Sequence, residues 1–178
     1  MASKVSKRLV IDADVARACG GKTAKHPVSK GCRDFLLAVL EVCHRLVMTP
    51  EIRNEWKRHA SSFSRGWQVS MWARKKVVRP AGVPGLRLRE RIGALQIDAG
   101  CQQAMLKDAH LLEAALGADL IVVSKDNEVR TLFGKAVKNI AEIGPIVWVN
   151  PVEETNARKW LEDGAEARPE LILGKLRE

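Results

Sequence analysis

The chain has 178 residues, 46% of them hydrophobic, with four cysteines and a formal net charge of +9. That length suits one domain, able to bury roughly 70% of the surface its unfolded chain would expose without a disulfide staple. Cys19, Cys32, Cys43 and Cys101 lack the short paired spacings of a zinc site, MASKVSKRL lacks the apolar run of a signal peptide, and no segment has the length of a membrane span. The expectation is a cytoplasmic protein with reduced thiols and no membrane contact.

Residues 9–11 (Leu9, Val10, Ile11) read as a buried strand, and two carboxylates, Asp12 and Asp14, follow at once. Acid at the end of a core strand is costly unless it meets a cation or donors, although both aspartates would also suit an exposed turn. Residues 19–31, rich in Gly, Lys and Ser, read as a loop. Its GGKT, residues 20–23, imitates the end of a phosphate-binding loop. The glycine needed five residues before Gly21 is Ala16, however, and Pro27 breaks the helix that should follow. Cys19, His26, Cys32 and His44 are spaced too irregularly to argue for a metal site.

Residues 35–47 carry apolar side chains at helical spacing and 46–48 read as a second strand. In TPEIRNEW, Thr49 has the character of an N-cap, Pro50 of a first helical residue and Glu51 of a first-turn acid favoured by the helix dipole. Glu55 lies one turn on, beside the stripe of Ile52, Trp56 and His59, and no cap needs it. It is the candidate for chemistry, with an i,i+4 contact to His59 as the structural alternative.

Most of the positive charge sits in one segment. Between positions 51 and 91 there are eleven Lys or Arg against three acids, interleaved with Trp56, Trp67 and Trp72. Cations for phosphates and aromatic faces for unpaired bases suit single-stranded nucleic acid, so Arg53, Lys57, Arg58, Arg74, Lys75, Lys76 and Arg79 are candidate RNA contacts. For the tryptophans alone, burial in the core is the better expectation. Residues 79–85, with two prolines and two glycines, form the clearest loop.

Ala99–Leu116 reads as a long amphipathic helix ended by Gly117, with Asp108 on the face shared by Ala104, Met105, Leu111, Leu112 and Ala115. A strand at 121–123 exits through Ser124 to Asp126, which either serves chemistry or caps a helix at 127–132. A last strand is expected at 146–149, and the charged stretch from Val152 has helical character. Strands alternating with helices argue for an α/β domain with a mainly parallel sheet, a three-layer α/β/α sandwich. It spans residues 1–150, with a basic insertion around 60–92 and a charged helical extension at 151–178.

Asp12, Glu55, Asp108 and Asp126 come from separated segments and cannot cluster without counter-charge, since unit charges 4 Å apart repel by ~4 kcal/mol at an effective dielectric of 20. Mg2+ or Mn2+ prefers such oxygen ligands, and a cluster of this kind beside a basic surface suits phosphodiester hydrolysis.

At LVIDADV, TPEIRNEW and KDAHLLEAALGADLIVVSKDNEV the sequence resembles the PIN-domain ribonucleases, the fold of the VapC-type toxins of bacterial toxin and antitoxin pairs. The likeness covers most of residues 8–149. It implies a metal-dependent endoribonuclease with Asp12 central to the metal, Glu55 and Asp108 completing the site, and Asp126 serving a second metal or positioning water. An antitoxin-like protein and a second copy of the chain are the candidate partners besides RNA. There are departures: Asp14 stands where many members have asparagine, Glu128 replaces a common aspartate, and the chain is longer than a typical toxin. Asp14, Ser124 and Glu128 are additional site candidates. Two other readings stand beside this one: a phosphatase of the haloacid dehalogenase type, with Asp12 as nucleophile and Asp14 as acid, and a basic RNA-binding module without catalysis.

Overall fold

The computed structural model describes residues 5–21, 23 and 25–176; Lys22 of the GGKT stretch lies outside the described residues. Among the described residues, five strands form one sheet: β1 (Arg8–Ile11), β2 (Arg45–Val47), β3 (Val77–Val78), β4 (Ile121–Val123) and β5 (Val147–Val149). Their order is β3-β2-β1-β4-β5 and every neighbouring pair is parallel, with Val10 opposite both Val47 and Val122. A parallel strand covered on both faces reads as a continuous apolar run. Leu9, Val10, Ile11, Val122 and Val123 accordingly have no solvent exposure.

Parallel pairing requires a crossover between successive strands, and the right-handed rule decides which face each crossover covers. The β1-to-β2 crossover holds α1 (Ala13–Ala18) and α2 (Pro27–Glu41), and the β2-to-β3 crossover holds α3 (Pro50–His59) and α4 (Ser62–Ala73). Then α5 (Leu88–Gly93) and α6 (Ala99–Leu116) lead back to β4, and α7 (Asn127–Ala136) leads to β5. Contacts follow this division: α2 packs on α4, while α6 packs on β1, β4, α5 and α7. The result is the three-layer α/β/α sandwich.

Several details differ from the sequence expectation. The helix expected at 35–47 begins at Pro27, in the first-turn position that proline favours, and stops at Glu41 because Val42 turns extended. The edge strand β3 has no counterpart in the sequence expectation. Beside it, the Lys76 ammonium donates to the carbonyls of Val39, Leu40 and Val42 at and just past the end of α2, Leu40 also accepting from Arg74 at 3.4 Å. Trp56 and Trp67 stack in the core with ring centroids 5.7 Å apart, whereas Trp72 is 49% exposed. Trp56 Nε1 also donates to the Ile11 carbonyl at 2.9 Å, tying α3 to the end of β1.

The stretch after Val152 packs into the same core. Within α8 (Ala157–Glu162), Trp160 and Leu161 are buried. Ile172 forms an antiparallel bridge with Val147 on the edge strand β5, and Leu173 N donates to Ile146 O. Buried His44 joins three segments: its Nδ1 accepts from Lys7 N at 3.0 Å, and its Nε2 lies 2.7 Å from the Leu161 carbonyl.

Candidate active site

In open parallel sheets ligands bind beyond the carboxyl ends of the strands, where the chain order reverses. Here that point lies between β1 and β4, and both exits carry acid. Asp12 follows β1 and caps α1, accepting from Asp14 N at 3.2 Å. Asp126 follows β4 by way of Ser124 and caps α7, accepting from Val129 N at 2.9 Å. Capping is thus part of the geometry of Asp126, and its second oxygen has no donor among the described residues.

α3 supplies the third acid. Thr49 caps it by accepting from Ile52 N at 3.1 Å, Pro50 opens it and Glu51 occupies its first turn. Glu51 pairs with Arg89 at 2.8 Å and makes only a long approach, 3.9 Å, to His110 Nδ1. Glu55 instead meets His110, whose Nε2 is 3.1 Å from Glu55 Oε2 and whose Nδ1 is 2.9 Å from the Lys107 carbonyl. The partner is therefore His110 on α6, not His59.

Asp108 is the fourth acid. It lies on the buried face of α6 at 8% exposure, and among the described residues no donor reaches its carboxyl. Burial, and then Asp12 and Asp126, push it up to about 6, while Lys107 and His110 pull the other way.

All four acids line one cavity of about 270 Å³, with Asp14, Arg17, His59, Lys107 and Lys125 also on its wall. Five carboxylates thus face three permanent cations. The crowding is sharpest at Ser124, whose hydroxyl lies 2.8 Å from Asp12 Oδ2 and 3.3 Å from Asp14 Oδ2 while accepting from Asp126 N at 3.1 Å. One hydroxyl proton cannot serve two carboxylates at once. Burial first, and Asp12 second, push Asp14 up to about 7, against the Lys125 charge and its backbone N–H.

The additional candidates divide: Asp14 and Ser124 join the site, while Glu128 is exposed in the first turn of α7 and does not line the cavity. The expected RNA contacts divide as well. Arg53, Lys57 and Arg79 line a second cleft, and Arg58, Arg74 and Lys75 are exposed. Lys76 is engaged inside the fold. Sequence reasoning missed Arg17, Lys107, Lys125 and His110. Of these only His110, a polar residue two positions from Asp108 in an apolar helix, carried a readable signal.

The donor set is carboxylate oxygen throughout, the chemistry of a hard divalent cation, and the Asp108 carboxyl without a donor fits that use. Among the described residues, however, no group of three or more His, Cys, Asp or Glu side chains is arranged to hold a metal ion as it stands. No helix among them is long and apolar enough to cross a membrane. Comparison with protein-family models, curated proteins and solved structures returns no match in any of the three.

Proposed function

We propose that the chain is a divalent-metal-dependent endoribonuclease of the PIN-domain kind, hydrolysing phosphodiester bonds of single-stranded or structured RNA. The observation that carries this reading is the convergence of Asp12, Glu55, Asp108 and Asp126, from four segments, on one cavity at the reversal point of the sheet. Mg2+ or Mn2+, when bound, supplies charge neutralisation and Lewis acidity to phosphodiester hydrolysis. Asp12, Asp108 and Asp126 are the residues that would hold it, with Glu55 steadied from behind by His110.

The chain's own groups serve the substrate in other ways. Lys107, Lys125 and Arg17 on the cavity wall offer positive charge to a phosphate. Ser124 fixes the orientation of the Asp12 carboxyl. A dehalogenase-type phosphatase would use Asp12 and Asp14 but leaves Glu55 and Asp108 without a role. A binding module without catalysis is favoured by the capping work of Asp12 and Asp126, and the same experiment decides between it and the nuclease.

The test is cleavage of end-labelled single-stranded RNA with Mn2+ or Mg2+, with and without chelator. The expected result is cutting that stops with chelator and is largely lost in Asp12→Asn. A second readout needs no activity: Mn2+ should raise the melting temperature of the unaltered chain more than that of Asp12→Asn. Cleavage that survives both chelator and Asp12→Asn overturns the assignment, and RNA binding that is never followed by cleavage favours the module.

A further inference from the structure

A second cleft, of about 430 Å³, lies on the other side of α3 from the carboxylate cavity. Arg53, Lys57, Trp72 and Arg79 are on its walls, with Thr49 and Asn54 between them. The division follows from helix geometry. Arg53 and Lys57, four residues apart, stack on one face, while Glu55, midway between them, turns to the opposite face and lines the other cavity.

The cations of the basic segment are not equivalent. Arg89 is held by Glu51 and Glu113, Arg91 by Glu142, and Lys76 by three carbonyls. Arg53, Lys57 and Arg79 make no salt bridge and no side-chain hydrogen bond among the described residues. No acidic side chain lines their cleft. The fold thus engages Arg89, Arg91 and Lys76 elsewhere and leaves Arg53, Lys57 and Arg79 together on the walls of a cleft with a half-exposed indole.

Of the buried tryptophans, Trp56, Trp67 and Trp160 donate their N–H groups to backbone carbonyls, while Trp148 Nε1 is enclosed without a partner among the described residues. Trp72 makes no such bond and presents its ring to solvent at 49% exposure. A planar aromatic face ringed by unpaired cations matches a polyanion with planar, unstacked bases, which is single-stranded nucleic acid. A duplex keeps its base faces stacked inside and cannot use the indole.

We propose that this cleft is a docking subsite for single-stranded RNA, with Trp72 stacking on one unpaired base and Arg53, Lys57 and Arg79 meeting the flanking phosphates. The assignment rests on the nuclease reading for its choice of RNA. A strand seated there must cross α3, about 10–12 Å across, to reach the carboxylates. The subsite thus holds the strand at a fixed offset from the point of cleavage and selects for unpaired sequence at that offset.

The test uses the full-length chain with chelator present, so that no strand is cut, and fluorescence anisotropy with labelled oligonucleotides. The probes are a single-stranded RNA, the same strand with one abasic position placed in turn along it, and the matching duplex. Trp72→Ala should weaken single-strand binding about tenfold, within the range for losing one base stack, and Trp72→Phe should retain most of it. One abasic position should weaken binding to the unaltered chain and make no difference to Trp72→Ala. Replacing Arg53, Lys57 and Arg79 together should reduce the salt slope by roughly 0.7 for each phosphate deprived of its cation.

Equal affinity of Trp72→Ala and the unaltered chain overturns the subsite, as does duplex binding as tight as single-strand binding. So does sedimentation in which the unaltered chain is a dimer and Trp72→Ala a monomer, which would make the indole a contact between copies. In each case metal-dependent cleavage that is lost in Asp12→Asn leaves the nuclease reading standing. If cleavage fails while the Trp72 and abasic effects hold, the nuclease reading falls and the subsite remains.

Discussion

Replacing Asp14 by asparagine should stabilise the protein at neutral and alkaline pH. Asp14 sits in the crowded corner formed by Asp12 and Ser124, where burial and the Asp12 charge raise its carboxyl from 3.8 to about 7. A group whose folded value lies above its unfolded value contributes stability that is complete below the unfolded value and is lost as pH rises through the folded one. The chain without metal should therefore weaken as pH climbs from about 4 to 8. At 1.36 kcal/mol for each pH unit, the interval between 3.8 and about 7 corresponds to at most about 4 kcal/mol. Water reaching the partly exposed carboxyl, and sharing of a proton with Asp12, reduce the expected figure to about 2 kcal/mol. Asparagine keeps the shape and an acceptor for the Lys125 N–H but never ionises. Thermal melts of both proteins in chelator, from pH 4.5 to 8.5, should nearly coincide at the acid end. They should separate by roughly 4–8 °C at the alkaline end, given the size of the chain. A constant difference across that range, or a variant that is less stable throughout, would refute the assignment of repulsion to this corner.

Acid should act through His44. Burial holds its ring below the ordinary value of 6.5, with Lys76 and Lys7 adding to that and the Leu161 carbonyl opposing it. The stability it contributes is present above 6.5 and lost as pH falls toward the folded value, because a second ring proton displaces the Lys7 N–H. In an Asp14→Asn, Asp108→Asn background, which removes the two raised carboxyls that act in the opposite sense, urea midpoints should fall below pH 6.5, and His44→Gln should flatten that fall while costing about 1–3 kcal/mol at pH 7. Lys76→Met should cost about 1–3 kcal/mol by urea denaturation, since it leaves the Val39 and Val42 carbonyls without their donor and Leu40 with Arg74 alone. The same variant should leave the salt dependence of RNA binding unchanged, in contrast to replacement of Arg53, Lys57 and Arg79.

Features that conflict with their local sequence were the readable ones. Asp12, Asp108 and Asp126 stood out because each interrupts or ends an apolar pattern, and Glu55 because Thr49, Pro50 and Glu51 already accounted for the start of its helix. The strands β1, β2, β4 and β5 were legible as apolar runs covered on both faces. β3 was not, because two valines between Lys76 and Arg79 give no alternation or length to recognise. The start of α2 was missed because Pro27 reads as a breaker, while its place at the first helical position is the opposite signal. Arg17, Lys107 and Lys125 were illegible for another reason. In a chain with 30 lysines and arginines, nothing local separates a cation on the cavity wall from one that only meets water. Trp72 carried the same ambiguity as Trp56 and Trp67 until the position of α4 set it apart.

The hydrogen bond from Trp56 to the Ile11 carbonyl has a consequence for how the site can vary. Ile11 immediately precedes Asp12 and Trp56 immediately follows Glu55, so one buried indole is a spacer between the backbone segments that carry two of the four acids. Its length fixes a dimension of the cavity, much as a gauge block fixes the gap between two tools. Phenylalanine has the bulk to fill part of the core but no N–H to reach the strand. Arg17, Lys107 and Lys125, by contrast, line the cavity with no side-chain hydrogen bond or salt bridge among the described residues, so their exchange should leave both segments in place. Under the nuclease reading, change at the rim would alter what is admitted, whereas change at Trp56 would alter the distance across which the acids act together.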